Sequence, residues 1–231
     1  MIYSEQIKIS AQKLVVWQDY IFSEVDIKLG RSKIVKRAYG IDEIALVPGG
    51  RTVDPEVTCT KWKIGNIERE VPIIASAMDG VVDVNIASSL SKLGSLGVLN
   101  LEGIQTRYED PKPILNKIAS IDKSEFVPLM QELYSKPIKA DLIKKRIQEI
   151  KDNGGITAVS GTPNSVIKYR DVISESRPDL FFLQATVVST EHIGKEGNQN
   201  LDIKDLCQNM GIPVAVGNCV TYEVALQLMK A

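Results

Sequence analysis

ITAVSGTPNSVIKYRDVISESRPDLFFL, residues 156–183, holds two short apolar runs with a patterned segment between them. Ile156–Val159 and Leu180–Leu183 are too short for helices and rich in Ile, Val and Phe, as strands buried on both faces are. Between them, Asn164–Ile173 returns an apolar residue every three or four positions, the period of a helix with one buried face. Two fully apolar strands joined through a helix make a parallel crossover unit, because parallel strands need a long connection that covers one sheet face.

The same unit recurs on either side. Val71–Ala75, Gly97–Leu101 and Ile212–Val216 read as three further strands, and Val84–Leu93, Ala140–Lys151, Leu201–Met210 and Tyr222–Met229 as further helices. Asp83 and Thr221 stand at N-cap positions, and Gly94, Gly154 and Gly211 follow helical patterns where a left-handed cap is wanted. Repeated right-handed crossovers give a parallel sheet that either opens into a doubly wound fold or closes into a (β/α)8 TIM barrel. No G-x-G-x-x-G follows any of the five runs, and the last helical pattern reaches Lys230-Ala231 without a stop signal. Both points favour an α/β barrel of which about the first five strand–helix units are present. Residues 1–25 lack a sustained period and read as an amino-terminal extension, 26–231 as the partial barrel, and Tyr108–Pro137 as an excursion between strands.

Composition narrows the function classes. Of 231 residues, 44% are hydrophobic and 25% charged, which excludes disordered and collagen-like chains. With 28 basic and 29 acidic residues the net charge is -1, so no nucleic-acid or membrane partner is expected and a small molecule is. The apolar run Leu14–Trp17 is too short for a targeting or membrane segment. Cys59, Cys207 and Cys219 lack paired metal-ligand spacing, so no metal site is expected and a reduced, cytoplasmic protein is. The basic clusters Arg31–Lys36–Arg37 and Lys144-Lys145-Arg146 have no aromatic residues interleaved as a single-strand binder would, and the second, on a helix beside Glu149, reads as a solvated face.

Chemistry in parallel α/β folds gathers at the carboxyl ends of strands. The first strand end is Ser76-Ala77-Met78-Asp79-Gly80, where Asp79 either acts at the site or caps the next helix. The fifth is Gly217-Asn218-Cys219, which offers close backbone approach and an amide that both donates and accepts, or else plain turn chemistry. The fourth is Gln184-Ala185-Thr186-Val187-Val188-Ser189, followed by the single histidine, His192. His192 and Cys219 together suggest an activated thiol, against the commoner role of a lone cysteine as a small buried hydrophobe.

Arg37–Pro48 (RAYGIDEIALVP), Ser76–Gly80 (SAMDG) and Gly94–Gly103 (GSLGVLNLEG) together resemble the IMP dehydrogenase/GMP reductase family, and more narrowly its short IMP-dehydrogenase-like branch without CBS domains. The resemblance runs from about Asp26 to Ala231. It implies a (β/α)8 barrel, a homotetramer when full length, binding a purine nucleotide, IMP, across its carboxyl-end loops. In such enzymes a cysteine thiolate attacks purine C2, hydride passes to NAD and water releases XMP, a step of GMP biosynthesis; a related reductase uses NADPH to turn GMP into IMP. Carried over by position, Ser76, Met78, Gly217 and Asn218 are substrate-binding; Thr186 and Ser189, which follow a departure from the family pattern at Gln184, are the cofactor-binding candidates. Cys219 falls one place past the Gly-Asn pair, where relatives carry a small apolar residue, which argues against it as nucleophile. The family's catalytic cysteine and its K+ loop are expected beyond Ala231. Gln184 stands where dehydrogenases with CBS domains place an acidic residue for the cofactor ribose. The alternatives are GMP reductase and a non-catalytic nucleotide-binding module.

Overall fold

The structure, a computed structural model, describes residues 27–35, 39–47, 49–188, 191–193 and 200–231. The expected extension, most of Arg31–Lys36–Arg37 and the cofactor candidate Ser189 lie outside the described residues. The chain divides into two compact units, 1–58 and 59–231. In the first, β1 (Ile27–Leu29) and β2 (Lys33–Val35) form an antiparallel hairpin that turns at Gly30, whose φ of 65° suits a residue without a Cβ.

The second unit opens with an antiparallel hairpin, β3 (Trp62–Ile64) and β4 (Ile67–Arg69), and continues into a five-stranded parallel sheet. Its strands are β5 (Ile74–Ala75), β6 (Leu96–Asn100), β7 (Ala158–Gly161), β8 (Leu180–Gln184) and β11 (Val214–Gly217), adjacent in that order. A doubly wound sheet reverses its strand order at a switch point, whereas a barrel winds in one direction. The strictly sequential order here is the barrel's, and the sheet is a curled half of one.

Helices α1 (Val84–Lys92), α4 (Ala140–Asp152), α5 (Pro163–Ser176), α6 (Ile203–Asn209) and α7 (Tyr222–Lys230) follow the strands. Alternation along each strand sorts the core into two layers. Leu99, Val159, Phe181 and Leu183 point outward onto Ala87 of α1, Ile143 and Ile147 of α4, and Val166 and Ile173 of α5. Leu96, Val98, Ala158 and Leu180 point inward and meet Ile67 of the β3–β4 hairpin. That hairpin is also tied by the Trp62 indole N–H, which donates to the Val71 carbonyl at 2.7 Å.

The expected caps form. Asp83 Oδ1 accepts from the Ile86 N–H at 2.8 Å and Thr221 Oγ1 from the Val224 N–H at 3.3 Å. Gly94, Gly154 and Gly211 have φ of 82°, 72° and 65°. One helix start differs from the periodic reading: Leu201 belongs to β10 (Asn200–Asp202), opposite His192 of β9 (Glu191–Ile193), and α6 begins at Ile203. Asp202 sets that boundary, since its carboxylate caps the Lys204 and Asp205 N–H groups.

The excursion folds as two helices, α2 (Lys112–Ser120) and α3 (Lys123–Ser135), gathered around Ile104, Leu129 and Leu133. The expectation of a solvated Lys144-Lys145-Arg146 face fails at Arg146, which is only 5% exposed. Its guanidinium donates to the carbonyls of Gln105, Tyr108 and Glu109 and pairs with Glu149 at 2.9 Å, so it staples α4 to the chain leaving β6. Lys144 and Lys145 do face water, paired with Glu175 and Glu109.

Candidate functional site

Strand alternation makes the residues that end the inward rows the lining of the sheet's carboxyl end. Those residues are polar: Asn100 on β6, Ser160 on β7 and Gln184 on β8, with Asn100 paired to Ser160 and Gln184 to Gly217 in register. They line a cavity of about 570 Å³ together with Glu102, Arg107, Tyr134, Gly161, Thr162, Thr186 and Asn218. A second cavity of about 230 Å³ lies deeper, bounded by Ile74, Val98 and Phe182 below and by Ser76, Gly217 and Asn218 above. Ala77, Gln184 and Asn218 border both.

Of the residues proposed from sequence, Ser76, Gly217 and Asn218 come together on the deeper cavity. Thr186 lines the larger one. Met78 is 57% exposed and lies outside the lining of both. The Gly217–Asn218 backbone is tied to the end of β8: the Ala185 N–H donates to the Gly217 carbonyl at 2.9 Å, the Asn218 N–H to the Ala185 carbonyl at 2.9 Å, and the Val188 N–H to the Asn218 carbonyl at 2.8 Å. These bonds hold the Asn218 side chain at the junction of the two cavities. Cys219 is exposed, Cys207 is half-buried with its thiol pushed up by desolvation, and no cysteine lines either cavity.

Asp79 is neither a free site carboxylate nor the cap of α1, a part that Asp83 takes. Its Oδ2 accepts from the Ile104 N–H at 2.9 Å and from the Tyr134 hydroxyl. Burial first, and the hydrogen bond to Asp79 second, push the Tyr134 phenol well above its ordinary value, so it stays a donor. Arg107 sits over the Tyr134 ring with its guanidinium carbon 5.5 Å from the centroid. Its Nε donates to the Glu102 carbonyl at 3.0 Å and Nη1 to the Lys136 carbonyl. The Glu102 carboxylate in turn accepts from the Thr162 N–H. Sequence reasoning missed this chain of contacts, and Asn100 and Ser160 with it. The latter two carried a signal, a polar residue at the carboxyl end of an apolar run: Asn100 one place before the last residue of Gly97–Leu101, and Ser160 directly after Ile156–Val159.

The family profile described as "IMP dehydrogenase / GMP reductase domain" matches residues 38–231. The chain belongs to the IMP dehydrogenase/GMP reductase family. Among its relatives is an uncharacterized oxidoreductase of Mycobacterium tuberculosis, 30% identical over 209 residues that make up 88% of this chain and 56% of that protein. The inosine-5'-monophosphate dehydrogenase of Cryptosporidium parvum is 25% identical over 207 residues, 86% of this chain and 50% of its own. An IMP dehydrogenase/GMP reductase-like protein from Corynebacterium glutamicum superposes with a TM-score of 0.79 at 27% identity, covering 89% of this chain and 54% of that one. The chain thus spans about half the length of the relatives it matches. Family membership accounts for the barrel winding, and in such folds the carboxyl ends of the strands are where a site is expected. Among the described residues no helix is long and apolar enough to cross a membrane.

Proposed function

We propose that the whole protein is an oxidoreductase of the IMP dehydrogenase type, oxidising IMP to XMP with NAD on the way to GMP. The observation that carries this reading is the meeting of Ser76, Gly217 and Asn218 on one cavity that opens into a second, larger polar one. A purine nucleotide at the deeper site would meet the Ser76 hydroxyl and the Asn218 amide, which can donate and accept along a heterocycle edge. Apart from its own chain neighbours, no heavy atom lies within 4 Å of where a Gly217 Cβ would stand, so a planar ring has room to approach the backbone there.

The larger cavity suits a nicotinamide dinucleotide by the chemistry of its lining. Asn100, Ser160, Thr162, Gln184 and Thr186 offer neutral donors and acceptors to ribose hydroxyls and a carboxamide, and Arg107 is the cation among the lining residues. When bound, the nicotinamide ring supplies the two-electron hydride exchange. The residues of this chain bind and orient both ligands; the thiolate the family reaction needs is not among those lining either cavity.

A second reading, GMP reduction with NADPH, is favoured by Gln184 in place of a ribose-binding carboxylate. The whole protein, expected as a cytoplasmic homotetramer, is tested by following nicotinamide absorbance with IMP plus NAD and, separately, with GMP plus NADPH. NADH formation from IMP supports the first reading, and NADPH loss with GMP alone replaces it with the second. Nucleotide binding without either turnover would leave a binding module.

A further inference from the structure

We propose that Arg107 is the phosphate anchor of the larger cavity, the group that holds a phosphate of the dinucleotide ligand. This assignment rests on the proposed nicotinamide cofactor and adds the residue that grips it. Three observations support it. Arg107 alone is cationic among the lining residues. Its two hydrogen bonds go to main-chain carbonyls, of Glu102 and Lys136, so the side chain is positioned without a carboxylate bonded to its guanidinium. Among the described residues no carboxylate pairs with it, in contrast to Arg146, whose charge is met by Glu149.

The mounting is rigid. The guanidinium lies over the Tyr134 ring, and that ring is fixed through its hydroxyl by Asp79, itself held by the Ile104 N–H. A guanidinium spends little entropy in binding when its plane is already set, and its unused N–H groups form a fork that matches two oxygens of one phosphate. Glu102, the anion of the lining, is drawn toward the Thr162 N–H at the start of α5. The cavity therefore offers a phosphate one preset cation, with Glu102 engaged by the Thr162 N–H and the other polar lining groups neutral.

A nicotinamide dinucleotide has two phosphate sources, the bridging pyrophosphate shared by NAD and NADP, and the ribose 2′-phosphate of NADP alone. Titration calorimetry of the whole protein with each, for the parent, Arg107→Gln and Arg107→Lys, separates them. Arg107→Gln is expected to weaken dinucleotide binding about tenfold or more, the effect of one lost charge-assisted hydrogen-bond pair, and Arg107→Lys to recover part of it. IMP affinity and melting temperature should stay close to the parent's. Weakening of both dinucleotides assigns the pyrophosphate, and weakening of NADP alone assigns the 2′-phosphate. Unchanged affinities overturn the proposal, as does an equal loss of IMP binding and melting temperature in both variants, which would make Arg107 only a tether between Glu102 and Lys136. If the parent binds neither dinucleotide, the nicotinamide reading itself fails.

Discussion

Asp79, Gly103 and Tyr134 make one contact whose parts are interdependent. A Cβ on Gly103 would stand 1.8 Å from Asp79 Oδ1, so the carboxylate lies in space that only glycine leaves open. Gly103→Ala should expel Asp79, strand the Ile104 N–H and the Tyr134 hydroxyl, and lower stability by about 2–4 kcal/mol, read as a shift of the urea midpoint at unchanged slope. Tyr134→Phe removes one hydrogen bond to a carboxylate and should cost about 1–3 kcal/mol by the same measurement. The phenol also sets a pH dependence. Its folded pKa is raised above the ordinary 10.0, so between those two values the folded state holds a proton that the unfolded state has released. Its contribution is complete below about pH 10 and falls as pH rises beyond it. Midpoints compared at pH 8 and above pH 10 should therefore fall for the parent and fall less for Tyr134→Phe, in the range where carboxylates no longer titrate. An identical fall in the two proteins would detach the effect from Tyr134.

At the scale of elements, α4 is tied to the chain leaving β6 through the Arg146 side chain. Replacing Arg146 with Met keeps the bulk but leaves three carbonyls without their donor and Glu149 without its partner, a loss of about 2–4 kcal/mol in urea unfolding. Lys144→Ala, which removes only an exposed ion pair with Glu175, should leave the midpoint where it is. The two residues are neighbours in one basic run, and charge alone could not tell them apart. What separates them is helical phase: Arg146 shares the inward face of α4 with Ile143, Ile147 and Ile150, a face whose period was plain from the sequence. The parallel strands and the capped helices were legible for the same reason, since each depends on local period and local hydrogen bonding. Leu201 was not, because its apolar side chain fits a helix start as well as a hairpin, and the Asp202 cap decides between them. The placement of Ser76, Gly217 and Asn218 at strand ends was legible from the apolar runs that precede them. Arg107 and Tyr134 were out of reach, because the Tyr134–Asp79 contact joins residues 55 apart through an excursion with no strand of its own.

Among the described residues the sheet has two margins, β5 paired only with β6 and β11 only with β8. Sheet edges carry unpaired N–H and C=O groups that template association unless a further strand or a covering element meets them. The β5 margin is apolar as well as unpaired: Ile73 and Ile74 are 63% and 40% exposed. The inward face behind it, with Val98 and Phe182, borders an open cavity of about 230 Å³ where a closed barrel would have packed side chains. The outer layer lacks this weakness, since its strands are covered by α1, α4, α5 and α6. Residues 1–231 should therefore keep their helices and parallel core yet associate as concentration rises, and bind an apolar dye as they do so. Sedimentation velocity over a tenfold or wider range of concentration, with far-UV circular dichroism alongside, measures both halves of that expectation. A concentration-independent monomer that unfolds in one cooperative step would mean that the inner face is covered in solution by some other part of this chain, and the cavity assignments at the carboxyl ends would then have to be redrawn around that cover.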